Sequence, residues 1–105
     1  MRGALRPLNR GIDHGHPFSI YDKLQMQRTP EHDALGHAVL ELRARRRLSQ
    51  EELGFRAGLH RNYVGAIERG EINPTFRVLL KLQRGLNIPL SEIIVLAETR
   101  RLEEE

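Results

Sequence analysis

Residues 58–70 read GLHRNYVGAIERG. A helix over this stretch opens polar and basic at His60-Arg61-Asn62-Tyr63, turns apolar at Val64 and Ile67, and closes at Glu68-Arg69-Gly70. A buried core helix would not open that way, and an ordinary surface helix would not need a glycine at each end. A helix start aimed outward presents unbonded N–H groups, the positive end of the helix dipole and its first side chains to whatever docks there. With Arg61 and Asn62 at that start, the chemistry on offer is hydrogen bonding to a polar or anionic partner.

Bond-making chemistry finds less support. Ser49 near a histidine could suggest hydrolysis, but a helix-capping role explains Ser49 and no acid partner or oxyanion site accompanies it. His14-Gly15-His16 could bind a metal, yet two histidines in a glycine-rich arm are usually incidental. The chain therefore reads as a binding protein and not an enzyme, with no cofactor and no metal.

Composition narrows the partner. The 105 residues allow one small domain with tails, 39% apolar and 30% charged. Three phenylalanines and two tyrosines leave the core to aliphatic side chains. The absence of cysteine excludes a disulfide scaffold and cysteine-ligated zinc, and fits a reducing, cytoplasmic setting. No apolar run approaches the roughly 20 residues of a membrane span, and none follows the N-terminal arginines as a secretory signal would require. Net charge is +3 but uneven: residues 1–48 hold nine Lys/Arg against five Asp/Glu, and residues 49–105 hold eight against nine. Only Lys23 and Lys81 of the 17 basic residues are not arginine. Arginine suits bidentate recognition of phosphate and guanine, so nucleic acid becomes a plausible partner.

Residues 1–28 carry glycines and prolines without helical periodicity, and read as a flexible N-terminal arm. Its segment FSIYDKLQM (residues 18–26) is more apolar and could dock on the domain or on a partner. The arm's Arg2, Arg6 and Arg10 could reach a DNA minor groove, although a solvated tail is the favoured reading. Helix signals then follow closely. Thr29-Pro30-Glu31 starts a first helix with Leu35, Val39 and Leu42 at helical spacing, ended by the run Arg43–Arg47. Ser49 and Glu52 form a capping box for a second helix, with Leu53 and Ala57 inward and Gly58 at its end. A third helix begins near His60 and stops at Gly70. Thr75 caps a fourth, running to about Arg84 with Phe76, Leu79, Leu80 and Leu82 available for burial. Pro89 opens a fifth, with Leu90, Ile93, Ile94 and Ala97 apolar. No stretch shows the period-2 alternation of a strand. The expected fold is all-α: an arm over 1–28, a five-helix domain over 29–98 and a charged tail over 99–105.

The stretch LSQEELGFRAGLHRNYVGAIERGEINPTF resembles the Cro/lambda-repressor type of helix-turn-helix domain, over about residues 33–97. Ser49-Gln50-Glu51-Glu52-Leu53, Gly58, Ile67-Glu68-Arg69-Gly70 and Asn73-Pro74 carry the likeness. His60-Arg61-Asn62-Tyr63 resembles the subset that includes restriction–modification controller proteins and small phage-type repressors. Gly54 departs from the usual alanine, and the N-terminal arm has no counterpart in the minimal domain. The resemblance implies a lambda-repressor-like five-helix fold and a transcriptional regulator that binds a short palindromic operator as a dimer.

It also implies residue roles. The helix containing Arg61 is the recognition helix. Arg61 would pair bidentately with guanine and Asn62 would read adenine, while Gly65 and Ala66 leave room for a thymine methyl or close approach. Gln50, His60, Tyr63, Arg69, Asn73 and Thr75 would meet phosphates. One of Arg45, Arg46 and Arg47 would do the same, with Arg46 the chosen candidate, although all three could equally be a solvated helix end. Arg43 and Glu68 would form a structural ion pair. Leu80, Leu90, Ile94 and Leu96 exceed what the core needs and are assigned to a homodimer interface, ahead of the reading in which they complete the monomer core. Double-stranded DNA is the expected partner, contact with RNA polymerase would fit an activator, and the chain would be nucleoid-associated. The rival reading is a protein-interaction module, such as an antitoxin, with only secondary DNA binding.

Overall fold

A computed structural model describes residues 28–103. The arm features singled out above (Arg2, Arg6, Arg10, His14, His16 and the 18–26 segment) lie outside the described residues. Five helices follow one another: α1 (Pro30–Arg45), α2 (Gln50–Ala57), α3 (Arg61–Glu68), α4 (Phe76–Leu86) and α5 (Leu90–Glu103). No strand occurs among the described residues.

The helix starts follow local chemistry. Thr29, Ser49 and Thr75 each hold extended backbone and accept an N–H bond from three residues on: His32, Glu52 and Val78. Glu52 returns a bond to the Ser49 amide at 2.8 Å, closing the capping box. At Thr29 the reciprocal partner is His32, whose Nδ1 accepts from the Thr29 amide at 3.1 Å. Replacing Ser49 with Ala leaves the Glu52 amide in the first turn of α2 without its side-chain acceptor. The expected cost is about 1 kcal/mol, read as a lower urea midpoint at unchanged slope; an unchanged midpoint would mean that the cap contributes nothing.

Between α2 and α3 the chain turns on Gly58, whose left-handed backbone (φ 73°) lets the Leu59 amide reach the Gly54 carbonyl at 2.8 Å. Leu59 then packs against the core beside Tyr63 and Val64. Gly54 itself lies under that turn: a Cβ there would stand 2.4 Å from the Leu59 carbonyl oxygen.

The core is aliphatic. Val39, Leu53, Val64, Ile67, Leu82, Leu86 and Ile93 are fully buried, with Leu42, Leu48 and Ala57 around them. α1 packs chiefly on α5 and on α3, and α2 sits between α3 and α4. Two ion pairs tie α5 to α1: Arg100 to Glu41 at 2.6 Å and Arg101 to Glu31 at 3.2 Å. Hydrogen bonding to Arg100 holds the Glu41 carboxyl below its usual pKa.

Three expectations need correction, and one helix end is narrowed to the second of two candidates. Phe76 is 66% exposed, because the first residue of α4 faces away from the core. α4, expected to run to about Arg84 and to stop at Gly85 or Asn87, runs through a buried Gly85 to Leu86, and the left-handed Asn87 ends it. α5 continues to Glu103, so most of the expected 99–105 tail is helix held by Arg100 and Arg101. Leu90 and Leu96, assigned to a dimer interface, pack against the monomer core, so both belong in part to the monomer core.

Candidate nucleic-acid interface

α3 is fixed from beneath before it offers anything outward. Val64 and Ile67 sit fully buried, and Glu68 is the one buried charged residue in the described core. Its carboxylate accepts from Arg43 Nε at 2.6 Å and Arg43 Nη2 at 3.0 Å, a two-pronged pair from α1. Gln50 Nε2 adds a third bond to Glu68 Oε1 at 2.9 Å. Arg43 Nη1 donates to the Leu48 carbonyl at 2.8 Å, so one guanidinium joins α1, the α1–α2 link and α3. Hydrogen bonding to Glu68 raises the Arg43 pKa above its ordinary value, so the guanidinium stays charged.

Three constraints, then, set the orientation of α3: its apolar inner face, the Glu68 network and the Gly58 turn. A fourth comes from Gly36 on α1, a buried residue to which the sequence reading assigned nothing. A Cβ there would lie 2.5 Å from the carbonyl oxygens of both Ile67 and Glu68. Only glycine lets α1 cross the end of α3 this closely.

The outward side begins with His60, the N-cap, whose Nδ1 accepts from the Asn62 amide at 3.0 Å. His60, expected to meet a phosphate, thus also serves as the cap of α3. Arg61 and Asn62 are exposed. The nearest acid to Arg61 is Glu51 of α2, a loose contact at 3.9 Å with both side chains largely in solvent. A pair so exposed contributes little, and the Arg61 fork can turn to another partner. Ala66 is half-buried. The start of α2 and the start of α3 therefore share one solvent face, on which Arg61 and Asn62 supply the donors and acceptors.

Several expected contacts sit elsewhere. Gly65 is buried, roofed by the Arg69 and Gln50 side chains, which would lie 3.0 and 3.4 Å from an added Cβ; it sets how close those side chains come and has no surface to meet a base. Gln50 spends its amide nitrogen on Glu68. Tyr63 is half-buried against the core. Arg69 lies on the face but is forked onto Glu71 at 2.8 and 3.1 Å. Arg46 donates to the Asn87 carbonyl at 3.1 Å, at the end of α4, and Arg45 pairs with Glu41. Arg47, exposed and in the left-handed region (φ 59°), is the member of that run whose side chain has no partner among the described residues. Asn73 is exposed, and Thr75 uses its hydroxyl to cap α4.

This is a helix, a glycine turn and a second helix with an outward polar start, and comparison with known proteins agrees. The helix-turn-helix family model matches residues 39–93, just over half of the chain. The chain belongs to the helix-turn-helix family. Within that family it is 37% identical over 62 residues to control protein C.SmaI of Serratia marcescens, covering 59% of this chain and 74% of that one. It is 38% identical over 60 residues to the helix-turn-helix transcriptional regulator YgzD of Bacillus subtilis, covering 57% and 91%. The crystal structure of the restriction-modification controller protein C.AhdI from Aeromonas hydrophila superposes with TM-score 0.61 at 40% identity, over 62% of this chain and 98% of that one. The clp gene regulator ClgR from Corynebacterium glutamicum shares the fold at 19% identity, with TM-score 0.69 over 74% and 83%. The helix-turn-helix domain is that of DNA-binding transcriptional regulators, and that reading prevails over a protein-interaction module with only secondary DNA binding. Among the described residues no helix is long and apolar enough to cross a membrane.

Proposed function

We propose that this helix-turn-helix protein reads a specific duplex sequence by laying the start of α3 in the major groove. The observation that carries the reading is the pairing of two exposed readers, Arg61 and Asn62, with a buried clamp beneath the same helix. Readers on a rigid element discriminate better, because the base contacts need not order the helix as they form. In this reading Arg61 pairs with guanine O6 and N7, and Asn62 with adenine N6 and N7. Ala66 borders the same face and leaves space for a thymine methyl. The α2 start, His60, Asn73 and the backbone before Thr75 approach phosphates from either side. Arg69 joins them by exchanging Glu71 for a phosphate.

The protein acts as a dimer on a palindrome, with its two recognition helices about one helical turn apart. The exposed Ile94 and Val95, with the partly exposed Leu80, Leu90 and Leu96, supply the apolar surface for that contact. Repression by occlusion and activation through RNA polymerase both fit this docking, and both place the protein in the cytoplasm, on the nucleoid.

Arg47 replaces Arg46 as the phosphate contact of the α1–α2 link, because Arg46 is committed to Asn87. Salt titrations of duplex binding test the choice. Arg47→Ala is expected to lower the slope of log affinity against log salt by about one, whereas Arg46→Ala leaves it unchanged. The opposite ranking would contradict the assignment.

A further inference from the structure

Arg69 caps the end of α3, and Glu71 follows it across Gly70, whose left-handed backbone (φ 73°) turns the chain so that the two side chains meet. Three contacts hold that turn. The Glu71 amide donates to the Ala66 carbonyl at 3.0 Å, Asp33 of α1 lies against Gly70, and Arg28 donates to the Arg69 carbonyl at 2.6 Å. Across the turn, Arg69 donates from Nε to Glu71 Oε2 at 2.8 Å and from Nη2 to Oε1 at 3.1 Å. A two-pronged pair on fixed backbone is the kind of exposed ion pair that holds its geometry in water. Hydrogen bonding between the two raises the Arg69 pKa and lowers that of Glu71, so both ends stay charged. The guanidinium also lies within the recognition surface. Its Nη1 rests over Gly65 of α3, 3.0 Å from where a Cβ would stand, with Gln50 at the start of α2 beside it.

We propose, on the docking described above, that Glu71 is an internal competitor for Arg69 and limits how tightly the protein holds DNA. With Nη1 laid against α3, the Nε–Nη2 edge of Arg69 is the one open to an anion, and Glu71 fills it. A phosphate and a carboxylate accept from that edge in the same two-pronged way. A phosphate contact therefore displaces the carboxylate, which is then left unpaired beside the DNA backbone. Arg28 also acts on Glu71, but it is already paired with Asp33 at 3.0 Å and is not a ready replacement. Arg61 carries no comparable restraint, since its acid stands 3.9 Å away in solvent. The Arg69 contact is thus the one whose net strength a neighbouring acid sets.

Affinity for the duplex most enriched by the wild type from a random pool is measured for the wild type, Glu71→Gln, Arg69→Ala and the double variant. Glu71→Gln should tighten binding roughly threefold to fivefold, the scale of an exposed ion pair that no longer has to be broken. Arg69→Ala should weaken binding, and the gain from Glu71→Gln should largely vanish in its background. An equal gain in both backgrounds would overturn the proposal, since Glu71 then merely repels DNA as one more anion. Weaker binding by Glu71→Gln would overturn it too, because Glu71 would then be a support that aims Arg69. Proton exchange in the free protein separates the pair from the docking. The Arg69 Nε proton should exchange with water more slowly than that of Arg61, and Glu71→Gln should abolish the difference. Equal exchange in the wild type would show that there is no pair to compete. A wild type with the slow Arg69 proton that binds no duplex would remove the docking, and the competition with it, while leaving the pair in place.

Discussion

Glu68→Ala is expected to cost about 3–5 kcal/mol of stability, the price of stranding a charge in a buried network. The Glu68 side chain is 2% exposed and the Arg43 side chain 17%, so water cannot take over the lost bonds. Removing the carboxylate leaves Arg43 with its Leu48 bond alone and frees the Gln50 amide that roofs Gly65. For a domain of this size that loss shifts the melting temperature by on the order of 20 °C. Thermal unfolding by circular dichroism reads it directly. A double-mutant cycle with Arg43→Ala should return a large coupling energy, because either single change already destroys the pair. A melting temperature equal to that of the wild type would refute the structural role of the pair.

Gly36→Ala should destabilise by about 1–2 kcal/mol, against the usual direction of a glycine-to-alanine change inside a helix. Helix propensity alone favours alanine by about 1 kcal/mol. Overpacking opposes it by about 1–3 kcal/mol, and here it wins, because the atoms met at 2.5 Å are backbone carbonyl oxygens of Ile67 and Glu68 that no rotamer change can move aside. Relief requires α1 to shift off the end of α3, which also pulls Arg43 away from Glu68. Gly36→Val should cost more. Urea unfolding at constant slope measures both. A stabilised Gly36→Ala protein would show that α1 and α3 are not in contact at that point.

Much of the fold was legible because its signals are local. Thr29, Ser49 and Thr75 cap the helices they precede, and Gly58 takes the left-handed turn, since such roles depend on neighbours within about four residues. The Arg43–Glu68 pair spans 25 residues and came from family resemblance, not from spacing. What local pattern could not reveal was tertiary. Gly36 looks like any helical glycine until α3 is laid across it. Gly65 was given to a base because its position faces outward on a bare helix, whereas Gln50 and Arg69 cover it. Arg46 is drawn to the Asn87 carbonyl 41 residues away, which leaves Arg47 in its place. α5 outlasts its apolar pattern because Arg100 finds Glu41 and Arg101 finds Glu31, partners 59 and 70 residues distant. Leu90 and Leu96 looked surplus to the core because the number of leucines a five-helix core absorbs depends on how the helices cross.

The most direct test of the central claim is selection from random duplex DNA with the wild-type protein and with Arg61→Ala. Arg61 is exposed and takes no part in the clamp under α3, so the variant should melt with the wild type. The wild type should enrich two inverted half-sites about one helical turn apart. The variant should keep their spacing but relax at one base pair in each half, losing about 1–3 kcal/mol of discrimination there. A wild-type protein that enriches no motif, or a variant that enriches the same motif as strongly, would contradict sequence reading by the start of α3.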